Sequence, residues 1–170
     1  MTDRIERVHA DAWARARGVR LRALRDAPEA FWSTTEGEER LPVSVWRRRL
    51  ARSDAATFLA VREGRDVGLA IGAPHHAHPA DAGLYSVWVA PEVRGSGIAD
   101  RLVMAVIDWA RAAGHQRIRL DVADDNPRAV GLYSRLGFTP TGAVSRFPPP
   151  RDHVVEHERV LELQVAPTGG

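Results

Sequence analysis

The stretch Leu84-Tyr85-Ser86-Val87-Trp88-Val89-Ala90-Pro91-Glu92-Val93-Arg94-Gly95-Ser96-Gly97-Ile98-Ala99 decides the fold of this chain. The apolar run at residues 84–89 predicts a strand, and an amphipathic helix begins directly after the glycine-rich turn. The first N–H groups of a helix have no partner within the helix and lie at the positive end of its dipole. Glycines let a phosphate approach such N–H groups closely. The order of strand, glycine turn and helix therefore predicts an anion site with pyrophosphate as its natural occupant, and Arg94 adds a charged fork.

Two other phosphate-binding loops are excluded by the residues present. A Walker loop needs Gly-x4-Gly-Lys-[Ser/Thr], and this chain contains no lysine. A dinucleotide-binding fingerprint needs a third glycine after Gly95 and Gly97, and Asp100 stands in its place.

Two motifs together identify a family. Arg94, Gly97 and Ala99 fit the pattern Arg-x-x-Gly-x-Ala. About 30 residues downstream the chain carries a second pattern, Asn-x-x-Ala-x-x-Leu-Tyr-x-x-x-Gly-Phe, formed by Asn126, Ala129, Leu132, Tyr133, Gly137 and Phe138. In this order and spacing the motifs resemble those of the GNAT (Gcn5-related) N-acetyltransferases. The resemblance covers roughly residues 5–163 and is specific over residues 84–142.

The resemblance implies an α/β fold with a central, mostly antiparallel mixed sheet whose fourth and fifth strands splay apart, flanked by about four helices. It implies acetyl-CoA as co-substrate, with the thioester in the gap between the splayed strands. The N–H groups from Arg94 through Gly95, Ser96, Gly97 and Ile98 to Ala99 would bind the pyrophosphate. Peptide units of Val87, Trp88 and Val89 would hold the pantetheine arm and polarise the thioester carbonyl, and the Trp88 side chain either contacts ligand or belongs to the core.

Hydrophobic periodicity predicts the remaining elements. We expect strands over residues 5–9, 57–62, 67–73, 84–89 and 118–122, one beginning at residue 138, and a last one over residues 154–165. We expect helices capped by Asp11 and Asn126, one beginning at Pro42, and one over residues 98–113 that ends at Gly114. These elements predict a single domain over residues 1–165, followed by a disordered tail at residues 166–170.

Tyr133 is the predicted general acid. It follows Asn126 by seven residues, which places both on one face of a helix. In the family the corresponding hydroxyl points at the CoA sulfur, and a phenol with a pKa near 10 suits protonation of a thiolate. The alternative is a packed tyrosine with a hydrated hydroxyl. Asn126 resembles the family asparagine that contacts the pantetheine arm, and it also fits a helix N-cap.

The general base is not given by the resemblance. Many family members place a glutamate on the strand before the pyrophosphate loop, whereas this chain has Leu84-Tyr85-Ser86 there. Other carboxylates are candidates, and a water chain is an alternative for an amine of modest pKa. The candidate carboxylates are Glu29, Glu36, Asp121, Glu156 and Glu158.

Three histidines and two aromatic residues are further candidates. His75, His76 and His78 have ligand types that suit zinc, but a solvated loop near the acceptor entrance is favoured because only Asp81 offers a further ligand nearby. We therefore predict no metal. Phe31 and Trp32 follow the first helix, and the resemblance places them beside the acceptor pocket.

Composition excludes several classes of function. The net charge is only +2 and every Lys/Arg cation is an arginine. The densest basic cluster, residues 47–49, is offset by the nearby acidic residues Glu36, Glu38 and Glu39. We therefore predict no nucleic-acid binding. The absence of cysteine excludes disulfides, thiol catalysis and thiolate metal sites. No secretory signal or membrane-length apolar run is present, so we expect a cytoplasmic protein that binds no membrane.

These patterns predict an N-acetyltransferase of the acyltransferase class that transfers acetyl directly in a ternary complex, because no cysteine is available for a covalent intermediate. The predicted acceptor is a primary amine, on a small molecule by preference, or on a peptide or protein. Two alternatives stay open, a non-catalytic acyl-CoA-binding or sensing domain and an enzyme for a different acyl-CoA. Family members are often dimers, so a homodimer is a further alternative.

Overall fold

The computed structural model describes residues 3–123 and 125–164, and it shows a seven-stranded mixed sheet flanked by helices. The strands are β1 (Asp3–Val8), β2 (Ala56–Arg62), β3 (Arg65–Pro74), β4 (Ala82–Val89), β5 (Arg117–Ala123), β6 (Thr139–Arg146) and β7 (Val155–Glu162). The helices are α1 (Trp13–Asp26), α2 (Thr35–Glu39), α3 (Val43–Ala51), α4 (Ile98–Ala112) and α5 (Pro127–Arg135). The predicted fold class is confirmed, while the predicted tail at residues 166–170 lies outside the described residues.

The sheet splits between its fourth and fifth strands. Its order is β1-β2-β3-β4-β5-β7-β6, and every adjacent pair is antiparallel except β4 and β5. The parallel pair is joined only at its start, where Ala82 faces Ile118 and Gly83 faces Arg119. Beyond these residues the strands separate, so the peptide groups of β4 on this side are open to a ligand.

A bulge bends β4 at the point where the gap opens. Trp88 faces Leu69 and Tyr85 faces Ile71, so two residues of β4 stand opposite one of β3. Ser86 lies inside this bulge with a φ of +59°, a left-handed conformation that is uncommon for a residue other than glycine. The bulge re-aims the side chains of residues 85–87 into the gap.

Helix α4 packs closely on the middle of the sheet. Its buried residues form one stripe, which includes Ile98, Leu102 and Val106. A Cβ on Gly72 of β3 would lie 2.6 Å from the Trp109 ring, so only glycine allows this approach. Consecutive residues of β2 and β3 are buried, which shows that both faces of the central sheet are covered because successive side chains alternate between faces.

Local capping explains where the predictions were right and where they were wrong. Asn126 Oδ1 accepts a hydrogen bond from Ala129 N at 3.2 Å, which confirms the predicted cap of α5. Asp11 does not cap α1, because a 3-10 turn at Ala10–Ala12 precedes the helix and the N-cap residue is Ala12. Pro42 is the N-cap of α3 and not its first residue.

Five α-helices are present in the described part of the chain, where about four were predicted. The additional one is α2, a polar helix of five residues with no apolar stripe to reveal it. Thr34 holds its first turn by accepting a hydrogen bond from Gly37 N at 3.1 Å. None of the helices that the structure describes has the length and apolar character needed to cross a membrane.

Candidate active site

The loop before α4 presents free backbone donors to solvent. Gly95 and Gly97 have φ values of +79° and +85°, and a Cβ on either would meet no atom within 4 Å. Gly97 is the N-cap of α4 and has no side chain with which to cap it. Among the described residues the N–H groups of Gly95, Ser96 and Gly97 form no hydrogen bond to the backbone or to a side chain. The predicted anion site is thus an uncapped helix N-terminus with open space in front of it.

Arg94 holds the loop instead of projecting from it. Its Nε donates to Val89 O at 3.0 Å and its Nη2 donates to Asp26 Oδ2 at 2.5 Å. Asp26 also accepts from Trp88 Nε1 at 2.9 Å, and this hydrogen bond together with that of Arg94 lowers the pKa of Asp26. The Trp88 ring is buried, so its side chain belongs to the core.

A cavity of about 630 Å³ occupies the gap between β4 and β5. Helices α1–α3 and the loops around them form its other wall. Five residues predicted for the site line this cavity, namely Phe31, Trp32, Val87, Asn126 and Tyr133. Trp88, Val89 and the loop at residues 94–99 do not line it, since they lie further along the chain toward and beyond the end of β4.

Tyr133 forms part of the cavity wall on α5. Its ring meets Phe138 edge-on at 5.8 Å between centroids. Burial raises the pKa of Tyr133 well above its usual value, so the phenol keeps its proton at neutral pH. Asn126 lines the same cavity, which brings the two residues of the second motif together as their spacing predicts.

The structure sorts the five candidate bases into three groups. Glu29, Asp121 and Glu156 line the cavity. Glu158 lies behind them, where Arg119 Nη1 and Thr141 Oγ1 donate to its Oε1 at 2.8 and 2.9 Å. Glu36 is on α2 and does not line the cavity.

Asp121 and Glu156 form a carboxylate pair on one face of β5 and β7. Asp121 faces Glu158 in the register, and Glu156 lies two residues along β7, so their side chains are diagonal neighbours. Glu156 Oε1 accepts from Trp32 Nε1 at 2.7 Å, whereas Asp121 accepts no hydrogen bond from the described residues. Burial raises the pKa of both carboxyls, and each is raised further by a neighbouring carboxylate.

His75 lies buried beside Asp121 and Glu158. The prediction of a solvated loop is therefore wrong for His75, whereas His76 and His78 are exposed as predicted. His75 Nδ1 accepts from Ala77 N at 3.3 Å and His78 N at 3.2 Å. The proton of the neutral ring is therefore on Nε2. Burial lowers the pKa of His75 to about 4, which keeps the ring neutral.

Two groups of possible metal ligands include His75. Ligand atoms lie within 4.8 Å of one another in His75, His76 and Asp121, and in His75, His78 and Glu158. A protonated Nε2 is a donor and not a ligand, so a metal would require the tautomer that the two backbone donors oppose. The absence of a metal stays a prediction.

A buried charge network where α1–α3 line the cavity was missed from the sequence. Glu38 is buried and accepts from Arg49 Nη1 at 2.8 Å, and Arg20 Nη2 lies 3.6 Å from it. Arg20 Nη1 also donates to Ser86 Oγ in the bulge of β4. The signal in the sequence was the acidic run at residues 36–39, which has the opposite charge to the basic run at residues 47–49. This signal indicated only that the two runs offset each other in net charge, and not that they form a buried network.

Comparison with known proteins assigns the family. Residues 9–138 match the Acetyltransferase (GNAT) family. The chain belongs to this family. A mycothiol acetyltransferase from Thermobispora bispora is 35% identical over 133 residues, which are 76% of this chain and 42% of that relative. The chain thus spans less than half the length of this GNAT relative.

Solved structures share the fold at low sequence identity. A putative acetyltransferase from Acinetobacter baylyi has a TM-score of 0.80 at 16% identity, with 99% of this GNAT chain and 97% of that chain covered. A putative acetyltransferase from Salmonella typhimurium, solved with its cofactor acetyl-CoA, has a TM-score of 0.75 at 17% identity, with 100% and 99% covered. At these identities the likeness shows the fold alone.

Proposed function

We propose that the protein is an N-acetyltransferase that moves an acetyl group from acetyl-CoA directly to a primary amine in a ternary complex. One observation carries this proposal. The cavity at the split between β4 and β5 is lined by Val87 and Tyr133, and β4 leads directly from it into the uncapped N-terminus of α4. The proposed thioester site beside β4 and the proposed pyrophosphate site at the start of α4 thus follow each other along the chain.

The backbone does most of the binding of acetyl-CoA in this proposal. The pyrophosphate accepts hydrogen bonds from N–H groups of residues 95–99, which Arg94 stabilises by tying the loop to Asp26. The pantetheine arm lies along the open edge of β4 near Val87, and Asn126 contacts it from α5. The Trp88 side chain acts from the core and does not contact the cofactor.

The transfer needs one proton removed and one supplied. The amine nitrogen attacks the thioester carbonyl carbon, the C–N bond forms, and the C–S bond breaks as the electron pair passes to sulfur. Asp121 takes the proton that the amine loses, because it lines the cavity and accepts no other hydrogen bond from the described residues. Tyr133 donates its hydroxyl proton to the departing thiolate, and solvent restores both groups.

The acceptor is a small-molecule amine by preference. The cavity is of the size that small ligands occupy, and the mycothiol acetyltransferase named above is a relative whose name gives a small molecule. A peptide or protein amine is the alternative.

The proposal is tested by binding first and turnover second. We expect acetyl-CoA to raise the melting temperature, and thiol release to appear with at least one amine from a panel of aminoglycosides, polyamines, amino acids and short peptides. Propionyl-CoA and succinyl-CoA in the same assays test the choice of acyl group. Stabilisation without turnover on any amine would favour a non-catalytic acyl-CoA-binding domain. No stabilisation by acetyl-CoA would overturn the site at residues 94–99.

A further inference from the structure

The cavity has an acidic end with more carboxylates than cations. On the face of β5 and β7, Arg119 donates to Asp81 at 2.7 Å and to Glu158 at 2.8 Å. The guanidinium is thus occupied by these two carboxylates. No arginine in the described part of the chain contacts Asp121 or Glu156. In a buried site an uncompensated negative charge favours a bound cation.

His75 does not supply that cation. Its Nε2 has no hydrogen-bond partner in the described part of the chain and points between Asp121 Oδ2 and Glu158 Oε2, at 3.9 Å from each. These distances are too long for hydrogen bonds. The ring is 1% exposed and its low pKa keeps it neutral, so His75 brings no positive charge to the acidic end.

The end of the cavity formed by α1–α3 has more guanidinium groups than carboxylates. Arg20 and Arg49 share a single buried partner, Glu38. Arg20 is the more enclosed of the two, with 14% of its side chain exposed, and it lies over the ring of Phe31. Its Nε has no hydrogen-bond partner among the described residues. This end can compensate one further negative charge.

The bulge of β4 brings the two ends close together. Ser86 Oγ accepts a hydrogen bond from Arg20 Nη1. The preceding residue, Tyr85, lies close enough to Asp121 for the Asp121 charge to help raise the pKa of Tyr85. Consecutive Cα atoms are about 3.8 Å apart, so the positive and negative ends flank one short stretch of strand. A ligand of modest size can therefore contact both.

We propose that the acceptor is an amino acid, whose ammonium group binds between Asp121 and Glu156 and whose carboxylate binds Arg20. This inference rests on the proposed function and names its substrate class. An amine without an acidic group would satisfy the carboxylate pair and leave the guanidinium end uncompensated. A zwitterion satisfies both. Asp121 then takes one proton from the bound ammonium, and the free amine attacks the thioester.

The experiment compares each amino acid with its own amide, which keeps the amine and side chain but removes the negative charge. We expect kcat/KM for the preferred amino acid to exceed that for its amide by about ten- to a hundredfold, the range for a hydrogen-bonded charge. In Arg20→Gln this ratio should fall toward one. The matched control is Arg52→Gln. Arg52 lines the same cavity, but its guanidinium donates to both carboxylate oxygens of Asp54. The ratio for Arg52→Gln should therefore equal that of the wild type.

The ratio compares kcat/KM for the amino acid and for its amide on the same protein sample, so a smaller fraction of folded enzyme lowers both values equally and leaves the ratio unchanged. Should Arg20→Gln not fold, Ser86→Ala removes the hydroxyl that holds Arg20 and should lower the ratio several-fold. The inference is overturned if amides, polyamines or aminoglycosides are acetylated as efficiently as amino acids, or if the ratio survives in both variants. Failure of acetyl-CoA to stabilise the protein would overturn the proposed function instead, which separates the two outcomes.

Discussion

The loop at residues 94–99 and the carboxylate pair of Asp121 and Glu156, which we propose bind the two substrates, are built in different ways. Residues 94–97 of the loop are exposed, and the side chains of Arg94 and Ser96 bond back to the protein. The N–H groups of Gly95, Ser96 and Gly97 have no partner among the described residues. In the carboxylate pair Glu156 is buried and Asp121 is partly buried, and their proximity depends on the register of β5 with β7. In the proposed function the binding of acetyl-CoA is thus set by local backbone conformation, whereas the chemistry of the acceptor is set by contacts between distant parts of the chain.

The largest effect should come from Tyr133, which lines the cavity. Tyr133→Phe keeps the ring against Phe138 but removes the proton donor. We expect kcat to fall about a thousandfold, because a positioned general acid contributes on the order of 10²–10⁴, while the Kd for acetyl-CoA changes little. Steady-state kinetics and calorimetric titration check this. Equal losses in kcat and in acetyl-CoA affinity would make Tyr133 a structural residue.

Asp121→Asn should have the next largest effect on activity and should leave acetyl-CoA binding at the loop unchanged. We expect kcat/KM to fall about a hundredfold with acetyl-CoA affinity retained, because the base is lost and Glu156 remains. In the wild type kcat/KM should fall on acidification through a pKa above that of an ordinary carboxyl, since burial raises the pKa of Asp121. The variant should lose this acidic limb.

Glu36→Gln is the control for this prediction, because Glu36 does not line the cavity. Its activity and pH profile should match those of the wild type. An unchanged acidic limb in Asp121→Asn would assign the base to another group. The groups packed around Asp121 that a pH study must consider are His75, His76, Tyr85, Arg119, Glu156 and Glu158.

The loop can be tested with two glycines that share one conformation. Gly97 and Gly114 lie at opposite ends of α4, both have a φ of +85°, and both have open space at the Cβ position. An alanine at either should destabilise the fold by about 1–2 kcal/mol, because the left-handed conformation is strained. Only Gly97→Ala should also weaken acetyl-CoA binding, by about tenfold. Equal acetyl-CoA affinity in the two variants would contradict a phosphate site at the loop.

Features that depend on neighbouring residues could be predicted from the sequence, whereas features that depend on long-range contacts could not. The strand, glycine turn and helix from Leu84 onward, and the cap at Asn126, are set by neighbouring residues, so the sequence was enough to predict them. Asp121 and Glu156 were named only as two of five candidates, because their pairing depends on a strand register that no local pattern encodes. Arg20 was missed because its partners, Glu38 and Ser86, are 18 and 66 residues away in the sequence.

The smallest predicted effect is on stability. Asp121→Asn, which should lower the activity, should raise the free energy of unfolding. Because burial raises the pKa of Asp121 and Glu156 in the folded state, the folded protein binds these protons more tightly than the unfolded chain does. The stability that they contribute is therefore present at acidic pH and is lost as the pH rises through the raised pKa values. No arginine of the described residues contacts either carboxyl, so no guanidinium offsets the charge that each gains above its pKa.

Removing one of these charges should stabilise the protein at neutral pH. We expect Asp121→Asn to raise the free energy of unfolding by about 1 kcal/mol, which is about 2–4 °C in melting temperature for a chain of this size. The gain should shrink toward zero on acidification, where the wild-type carboxyl becomes protonated. Glu36→Gln should show neither effect. A destabilised Asp121→Asn at neutral pH would mean that the wild-type carboxylate already has a compensating partner, and the acidic end would then lack the unbalanced charge that favours an ammonium group.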